Sequence, residues 1–116
     1  MAKEEFEARM LRIHLTEADR WDDKPTYEAI LAKCQEIGMT GAMVYRGLEG
    51  FGTSAAVHHA GNWPFSKHAP IMVSVIGDRL QIDTLMPHLD EMLTEGIVAI
   101  SDVHVILYAK TSQENR

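Results

Sequence analysis

The sequence has little cysteine and no long apolar run. Its one cysteine, Cys34, cannot form an internal disulfide, so the chain has no disulfide framework and suits a reducing compartment. No apolar stretch approaches the ~20 residues that span a bilayer. The opening MAKEEFEARM carries acidic residues where a secretory signal has an apolar core. Together these absences predict a cytoplasmic protein.

Positive charge is also scarce, because 11 Lys and Arg residues stand against 17 Asp and Glu residues, for a net charge of −6. Nucleic-acid binding needs a basic face that displaces condensed counterions, so we predict no nucleic-acid partner. A local basic pocket for a small anion stays open. At 116 residues the chain has room for one hydrophobic core, and we predict a single domain over residues 1–116, with its ordered part at about 10–108.

Apolar periodicity predicts the element order β-α-β, long loop, β-α-β. After a charged lead-in over residues 1–9, alternation from Met10 predicts the first strand, with Leu11, Ile13 and Leu15 on one side. Further strands are predicted at residues 41–48 and 70–76 and after Gly96. Because the residues of the second strand are almost continuously apolar, we expect both of its faces to be covered.

Two apolar stripes predict the helices. For the first helix, Asp22 or Asp23 is the predicted cap, Pro25 lies in the early turn, and Gly38 supplies the left-handed end. Its inward stripe is Tyr27, Ile30, Leu31, Cys34 and Ile37. In this stripe Cys34 is predicted to be a buried structural thiol. The second helix starts at Asp78 and should kink or break at Pro87. Its inward stripe is Ile82, Leu85, Met86, Leu89, Met92 and Leu93.

This order predicts an α+β, ferredoxin-like βαββαβ fold, with a four-stranded antiparallel sheet and two helices on one face. The other sheet face would then be bare. The residues expected there are too apolar for water, so we infer burial by other subunits. They include His14, Met43, Tyr45, Met72, Val98, Ile106 and Tyr108.

A glycine cluster follows the second strand and is the strongest local signal for a site. Gly47, Gly50 and Gly52 either let backbone N–H groups cradle a phosphate or form a bend that only glycine permits. Next to them, Arg46 either pairs with a phosphate or is a strand-end charge that pairs with Glu49. We leave both alternatives open here.

The histidines suggest metal binding as an alternative. His58, His59 and His68 fall in one long loop, and His14 and His104 fall on strands that could be adjacent. No carboxylate-rich or C-x-x-C spacing accompanies them. Because no nucleophile elbow or other catalytic signature surrounds Ser54, we predict no enzymatic activity.

One stretch of the chain has a recognisable pattern. EIGMTGAMV followed by RGLEGFGTS, with PTYEAI upstream and LDEMLTEGIV downstream, resembles the PII-like signalling protein family, a domain of unknown function related in fold to nitrogen regulatory PII proteins. The resemblance covers roughly residues 10–108. It implies a homotrimer that binds an adenine nucleotide (AMP, ADP, ATP or a cyclic nucleotide) at inter-subunit clefts. It also implies a flexible T-loop over residues 53–69 that signals to a protein partner.

Carried over to this sequence, the resemblance assigns a nucleotide-binding set. That set is Gly41, Arg46, Gly47, Gly50, Phe51, Gly52, Ser54 and His58. Two other functions stay open on the same fold. One is a metal-binding trimer of the divalent-cation-tolerance type, using His58, His59 and His68. The other is an interaction module for a membrane transporter, which needs no small ligand.

Overall fold

The computed structural model describes residues 2–53, 57–59 and 68–110, with residues 58 and 59 described by their backbone alone. The main strands are β1 (Ala2–Thr16), β2 (Gly41–Arg46), β3 (Pro70–Gly77) and β4 (Ile97–Ala109). The helices are α1 (Thr26–Ile37), between β1 and β2, and α2 (Arg79–Met92), between β3 and β4. Two short ribbons pair Arg20–Trp21 with Lys24–Pro25, and Glu49–Gly50 with His58–His59.

The four strands form one sheet in the order β2-β3-β1-β4, and all neighbouring strands are antiparallel. Both helices pack on the same face of this sheet, where they share one core with β1 and β3. The predicted α+β, ferredoxin-like fold is therefore confirmed. No helix in the described ranges has the length and apolar character needed to cross a membrane.

The core lies between the helices and the two central strands. Leu11 and Ile13 of β1 are fully buried against Ile30 of α1 and Leu85 of α2. Cys34 is also buried in this core, and burial raises the pKa of its thiol to about 11 because the charged thiolate is poorly solvated there. The thiol is thus structural, as the helical stripe predicts.

The start of α1 differs from the prediction. Its N-cap is Pro25, and no side chain caps the helix. Asp22 and Asp23 instead adopt left-handed backbone angles, with φ of 49° and 63°, in the turn of the first short ribbon. Asp tolerates this conformation better than most residues because its short side chain can hydrogen-bond locally. The helix ends as predicted, with Gly38 at φ 84°.

The start of α2 is at Asp78, as predicted, and this residue caps the helix. Asp78 Oδ1 accepts a hydrogen bond from the Gln81 backbone N at 2.8 Å, and Gln81 Oε1 accepts one from the Asp78 backbone N at 2.9 Å. This reciprocal pair is a capping box. The helix is unbroken at Pro87, where the sequence predicts a kink or a broken turn. Because Pro87 lies on the exposed side, the carbonyl that loses its partner can bind water instead.

The lead-in predicted over residues 1–9 is wrong, because β1 begins at Ala2. Residues 2–8 pair only with β4, in a register that runs from Ala2 opposite Ala109 to Ala8 opposite Val103. The first half of β1 therefore forms a two-stranded ribbon with the end of β4, beyond the helices. The local pattern could not show this, since the partner strand lies at the other end of the sequence.

Polar pairs cross this ribbon on one side. His104 Nδ1 lies 2.7 Å from Glu7 Oε1, and His104 Nε2 lies 3.9 Å from Glu5 Oε1. The hydrogen bond that the His104 ring donates to the Glu7 carboxylate is the largest cause that raises the pKa of His104 above its ordinary value. Protonation therefore favours the folded ribbon. This contribution is fully present below the unfolded pKa of about 6.5 and is lost as pH rises through the folded value.

We predict that Glu7→Gln lowers the pKa of His104 toward its ordinary value, because the neutral amide stabilises the imidazolium less than a carboxylate does. An NMR titration of the His104 ring measures this directly. Glu4→Gln is the matched control, since Glu4 pairs with Leu107 on the other side of the ribbon. An equal shift in both variants would contradict the assignment to Glu7.

The residues predicted for the bare sheet face divide into two groups. His14, Met43, Tyr45 and Met72 do lie on the face without helices, which we call the open face. Val98 is opposite Ile13 and packs on the core, so its predicted place is wrong. Ile106 and Tyr108 lie on the same side of β4 as Val98, on the ribbon beyond the helices, so their predicted place on the open face is also wrong.

The misplacement on β4 has a cause in its sequence. Both sides of β4 carry apolar residues, as in Val105 and Ile106, so alternation cannot tell its faces apart. For β2, the predicted cover of the second face does not come from this chain's own helices. Met43 and Tyr45 are 57% and 46% exposed, because β2 is an edge strand whose open face has no cover in the single chain.

Candidate functional site

A cleft of about 600 Å³ opens where β2 ends. One wall is the segment of residues 47–53, which we call the loop root, and the opposite wall is the turn from α2 into β4. The floor comes from the open face of the sheet. The lining residues are His14, Leu15, Thr16, Asp19, Tyr45, Gly47, Glu49, Gly50, Phe51, Gly52, Thr53, Pro70, Ile71, Met72, Glu95, Gly96 and Ile97.

The loop root is held against the start of β3. The backbone N of Gly47 donates to the carbonyl of Pro70 at 2.8 Å, and a Cβ on Gly47 would lie 3.0 Å from Pro70 Cγ. Gly50 then pairs with His58 in the second short ribbon. Within the described residues, positive φ angles at glycine occur only at Gly38 and Gly96. Of the loop-root glycines, Gly47 therefore makes the close approach, and none of the three serves as a left-handed turn residue.

The opposite wall is fixed by Gly96. Its φ is 150°, and a Cβ there would lie only 2.8 Å from the carbonyl oxygen of His14. The preceding residue, Glu95, accepts a hydrogen bond from Thr53 Oγ1 at 2.6 Å. This bond joins the loop root to the turn between α2 and β4, and so connects the two walls of the cleft.

The cleft combines an apolar floor with an acidic rim. Tyr45 and Met72 contribute apolar surface, whereas Asp19, Glu49 and Glu95 contribute carboxylates. Asp19 Oδ2 accepts a hydrogen bond from the backbone N of Thr16 at 2.8 Å, which fixes its position. In the described part of the chain, no Lys or Arg side chain lines the cleft. An anion that entered it would meet negative charge unless its own contacts compensated.

The structure brings together half of the predicted nucleotide-binding set. Four members line the cleft, namely Gly47, Gly50, Phe51 and Gly52. Ser54 lies outside the described residues. His58 contributes its backbone to the short ribbon, and its side chain is not among those described.

The other two members lie elsewhere. Gly41 is at the opposite end of β2, opposite Ile76, and does not line this cleft. Arg46 is on the helix side of β2, away from Tyr45, where its Nη2 lies 3.1 Å from Glu17 Oε2. Arg46 thus has a carboxylate partner, Glu17, which directly follows β1.

The histidine predictions have mixed outcomes. His14 and His104 lie on adjacent strands, but His14 is opposite Ile97 whereas His104 is opposite Glu7, so the two rings are not brought together. The described residues contain no cluster of three metal-ligating side chains. Because the side chains of His58 and His59 lie outside that description, a metal site with His68 stays a prediction.

Sequence reasoning missed Thr53, Glu95 and Gly96 as parts of the cleft. The available signal was a glycine directly before the last strand, at the edge where a ferredoxin-like sheet places that strand beside the first. The partner of Glu95 has no such signal, because Thr53 is 42 residues away in sequence.

Comparison with known proteins gives consistent results. The DUF190 family model, described as uncharacterized ACR, matches residues 8–105. A UPF0166 protein of Methanocaldococcus jannaschii is 28% identical over 101 residues, covering 86% of this chain and 93% of that protein.

Solved structures show the same fold. The CPII protein of Thiomonas intermedia K12, bound to ADP and bicarbonate, has a TM-score of 0.64 at 19% identity, covering 88% of this chain and 91% of that one. A protein of Thermus thermophilus, described as PII-like and signaling, has a TM-score of 0.59 at 10% identity, covering 89% of this chain and 91% of that one. The fold of this chain is therefore PII-like.

Proposed function

The chain belongs to the DUF190 family, and from this premise we propose that it is a non-enzymatic, PII-like regulatory protein that binds an adenine nucleotide. The observation that carries the proposal is the cleft of about 600 Å³ at the glycine-rich loop root, a volume typical of small-molecule sites. The CPII protein, which shares the fold, was solved with ADP. A protein partner would respond to the state of the loop that follows the loop root.

The apolar floor suits the adenine ring. Phe51 is 72% exposed at the cleft, and Tyr45 and Met72 offer further apolar surface beneath it. An exposed aromatic ring can stack on a base, and stacking tolerates any ring with a π face. We therefore assign Phe51 as the residue that contacts the base.

The phosphates are assigned to the loop root and the end of β2. Gly47 positions this segment, since its N–H donates to the Pro70 carbonyl and its backbone approaches Pro70 closely, and the backbone N–H groups of Gly50 and Gly52 are the proposed donors to the anion. The proposed cation is Arg46, whose side chain lies on the helix side of β2 with Glu17 and would have to turn to the open face to meet the phosphate. The rest of the proposed set comes from the family resemblance. It is Gly41, Ser54 and His58.

We predict that the protein binds at least one of AMP, ADP, ATP and cyclic AMP, and that Phe51→Ala weakens that binding by roughly 1–3 kcal/mol through loss of stacking. Isothermal titration calorimetry measures both. Leu48→Ala is the matched control, because Leu48 is 83% exposed in the same loop root and does not line the cleft. No heat with any of the nucleotides would refute the nucleotide-binding function, and equal losses in both variants would refute the role of Phe51.

We also propose that the open face mediates assembly into a homotrimer. Met43 and Tyr45 are largely exposed there, next to Met72 on β3. Apolar side chains on an uncovered sheet face indicate a protein interface. In such a trimer, the cleft, whose floor is the same face, would lie between subunits.

We predict a trimer in solution for the wild type, and smaller species for Met43→Glu, because a buried carboxylate without a partner opposes association. Light scattering coupled to size exclusion gives the masses. Leu80→Glu is the control, since Leu80 is 76% exposed on α2, away from the open face. A monomeric wild type would contradict the assembly, and a trimeric Met43→Glu would contradict the use of this face.

A further inference from the structure

We propose that an anionic ligand competes with Glu95 for the hydroxyl proton of Thr53, so that ligand binding detaches the loop root from the turn between α2 and β4. This inference rests on the proposed function, because it takes the phosphate of the nucleotide as the competing anion. It adds a mechanism by which occupancy of the cleft changes the protein surface.

The hydrogen bond concerned is short and lies at the cleft. Thr53 Oγ1 donates to Glu95 Oε1 at 2.6 Å, and both residues line the cleft. Both side chains are exposed, so a ligand can reach them. Within the described residues, Thr53 is the hydrogen-bond partner of Glu95, and no cation neutralises its carboxylate.

A threonine hydroxyl has a single proton to donate. When a phosphate oxygen accepts the hydrogen bond of this hydroxyl, Glu95 can no longer accept it. The carboxylate and the phosphate are both anions, and at contact distance they repel each other, so they cannot comfortably share the hydroxyl. Occupancy by an anion and the Thr53–Glu95 bond therefore exclude each other.

The two ends of this bond differ in how firmly they are held. Glu95 precedes Gly96, whose tight approach to the His14 carbonyl fixes that wall. On the other side, the loop root has no comparable close approach at Gly52, where an added Cβ would lie 3.9 Å from Ile97 Cδ1. When the hydrogen bond breaks, the loop root is the side that moves. Its other anchors precede Thr53 in the segment: the hydrogen bond from Gly47 to Pro70, and the ribbon that pairs Glu49–Gly50 with His58–His59.

Glu95→Gln tests the competition, because it keeps an acceptor for Thr53 and removes the charge. We expect this variant to bind ADP about three- to tenfold more tightly than the wild type, as follows from removing one screened charge near the ligand. Adenosine, which has no phosphate, should bind both proteins equally. If Glu95 merely shaped the cleft, the variant would bind ADP equally well or more weakly, and that result would overturn the proposal.

Thr53→Val tests the donor. This variant cannot donate to either partner, so it should lose ADP affinity, whereas Thr53→Ser should retain it. Hydrogen exchange at residue 53, whose backbone N–H is not assigned to the phosphate, provides a readout without ligand. Exchange should be faster in Thr53→Val and in Glu95→Ala than in the wild type, and ADP should accelerate it in the wild type only. Slower exchange of the wild type with ADP would overturn the proposed detachment.

Pyrophosphate separates this inference from the proposed function. It carries the charge without the base, and Glu95→Gln should bind it more tightly than the wild type does. No binding of any nucleotide would overturn the proposed function. A pyrophosphate affinity that Glu95→Gln leaves unchanged, or undetectable binding in both proteins, would overturn the competition.

Discussion

Replacing Gly96 with alanine is expected to lower the free energy of unfolding by about 2–4 kcal/mol, from backbone strain together with an atomic overlap. At φ 150° an alanine is strained, and its Cβ would lie 2.8 Å from the carbonyl oxygen of His14. That oxygen belongs to the backbone of a central strand, so it cannot turn aside as a flexible side chain would. Urea denaturation followed by circular dichroism measures the loss.

Gly41→Ala is the matched control for this prediction. Gly41 also lies at the start of a strand, but a Cβ there would meet no atom within 4 Å, and its φ is not positive. We expect a change within about 0.5 kcal/mol, as at most surface positions. Comparable losses in the two variants would show that the approach of Gly96 to β1 is not what requires glycine there.

Leu85→Ala is expected to destabilise the protein by about 2–5 kcal/mol, the range for a leucine whose removal leaves a cavity in a packed core. Leu85 is 0% exposed and faces the buried strands from the middle of α2. The loss combines the transfer free energy of the removed side chain with the dispersion energy of the contacts that its neighbours no longer make. The midpoint of urea unfolding should fall without a change in the slope.

Leu80→Ala, on the same helix, provides the comparison. Leu80 is 76% exposed, so its truncation leaves no cavity and should change stability by less than about 0.5 kcal/mol. Both variants must be compared at one protein concentration, because self-association adds stability by mass action. A large loss at Leu80 would indicate that its side chain is covered by a partner.

The second helix was predictable because its signals are local. The stripe from Ile82 to Met92 and the cap at Asp78 are written in consecutive residues, and the structure reproduces both. The strands depended on partners elsewhere in the chain. The residues before Met10 have no periodicity of their own, and pairing with β4 makes them a strand. Tertiary pairing of this kind overrides local propensity.

The site, too, was predictable only where its signal is local in the sequence. The glycine cluster at Gly47, Gly50 and Gly52 pointed to the loop root, because three closely spaced glycines are a local signal. Two pairings join distant segments, and no spacing in the sequence indicates them. They are Arg46 with Glu17 and Thr53 with Glu95. The acidic rim of the cleft likewise arises only when three separate segments of the chain meet.

The register of β1 against β4 also constrains the order of folding. β1 is a central strand, and its long pairing with β4 joins the first strand of the sheet to the last, from His14 opposite Ile97 to Ala2 opposite Ala109. Contacts of such high sequence separation require closure of a long loop before they stabilise anything, which slows folding. During synthesis, one edge of β1 therefore stays unpaired until β4 has left the ribosome. The charged residues of its first half, which include Glu4, Glu5 and Glu7, would oppose aggregation through that edge until β4 pairs with it.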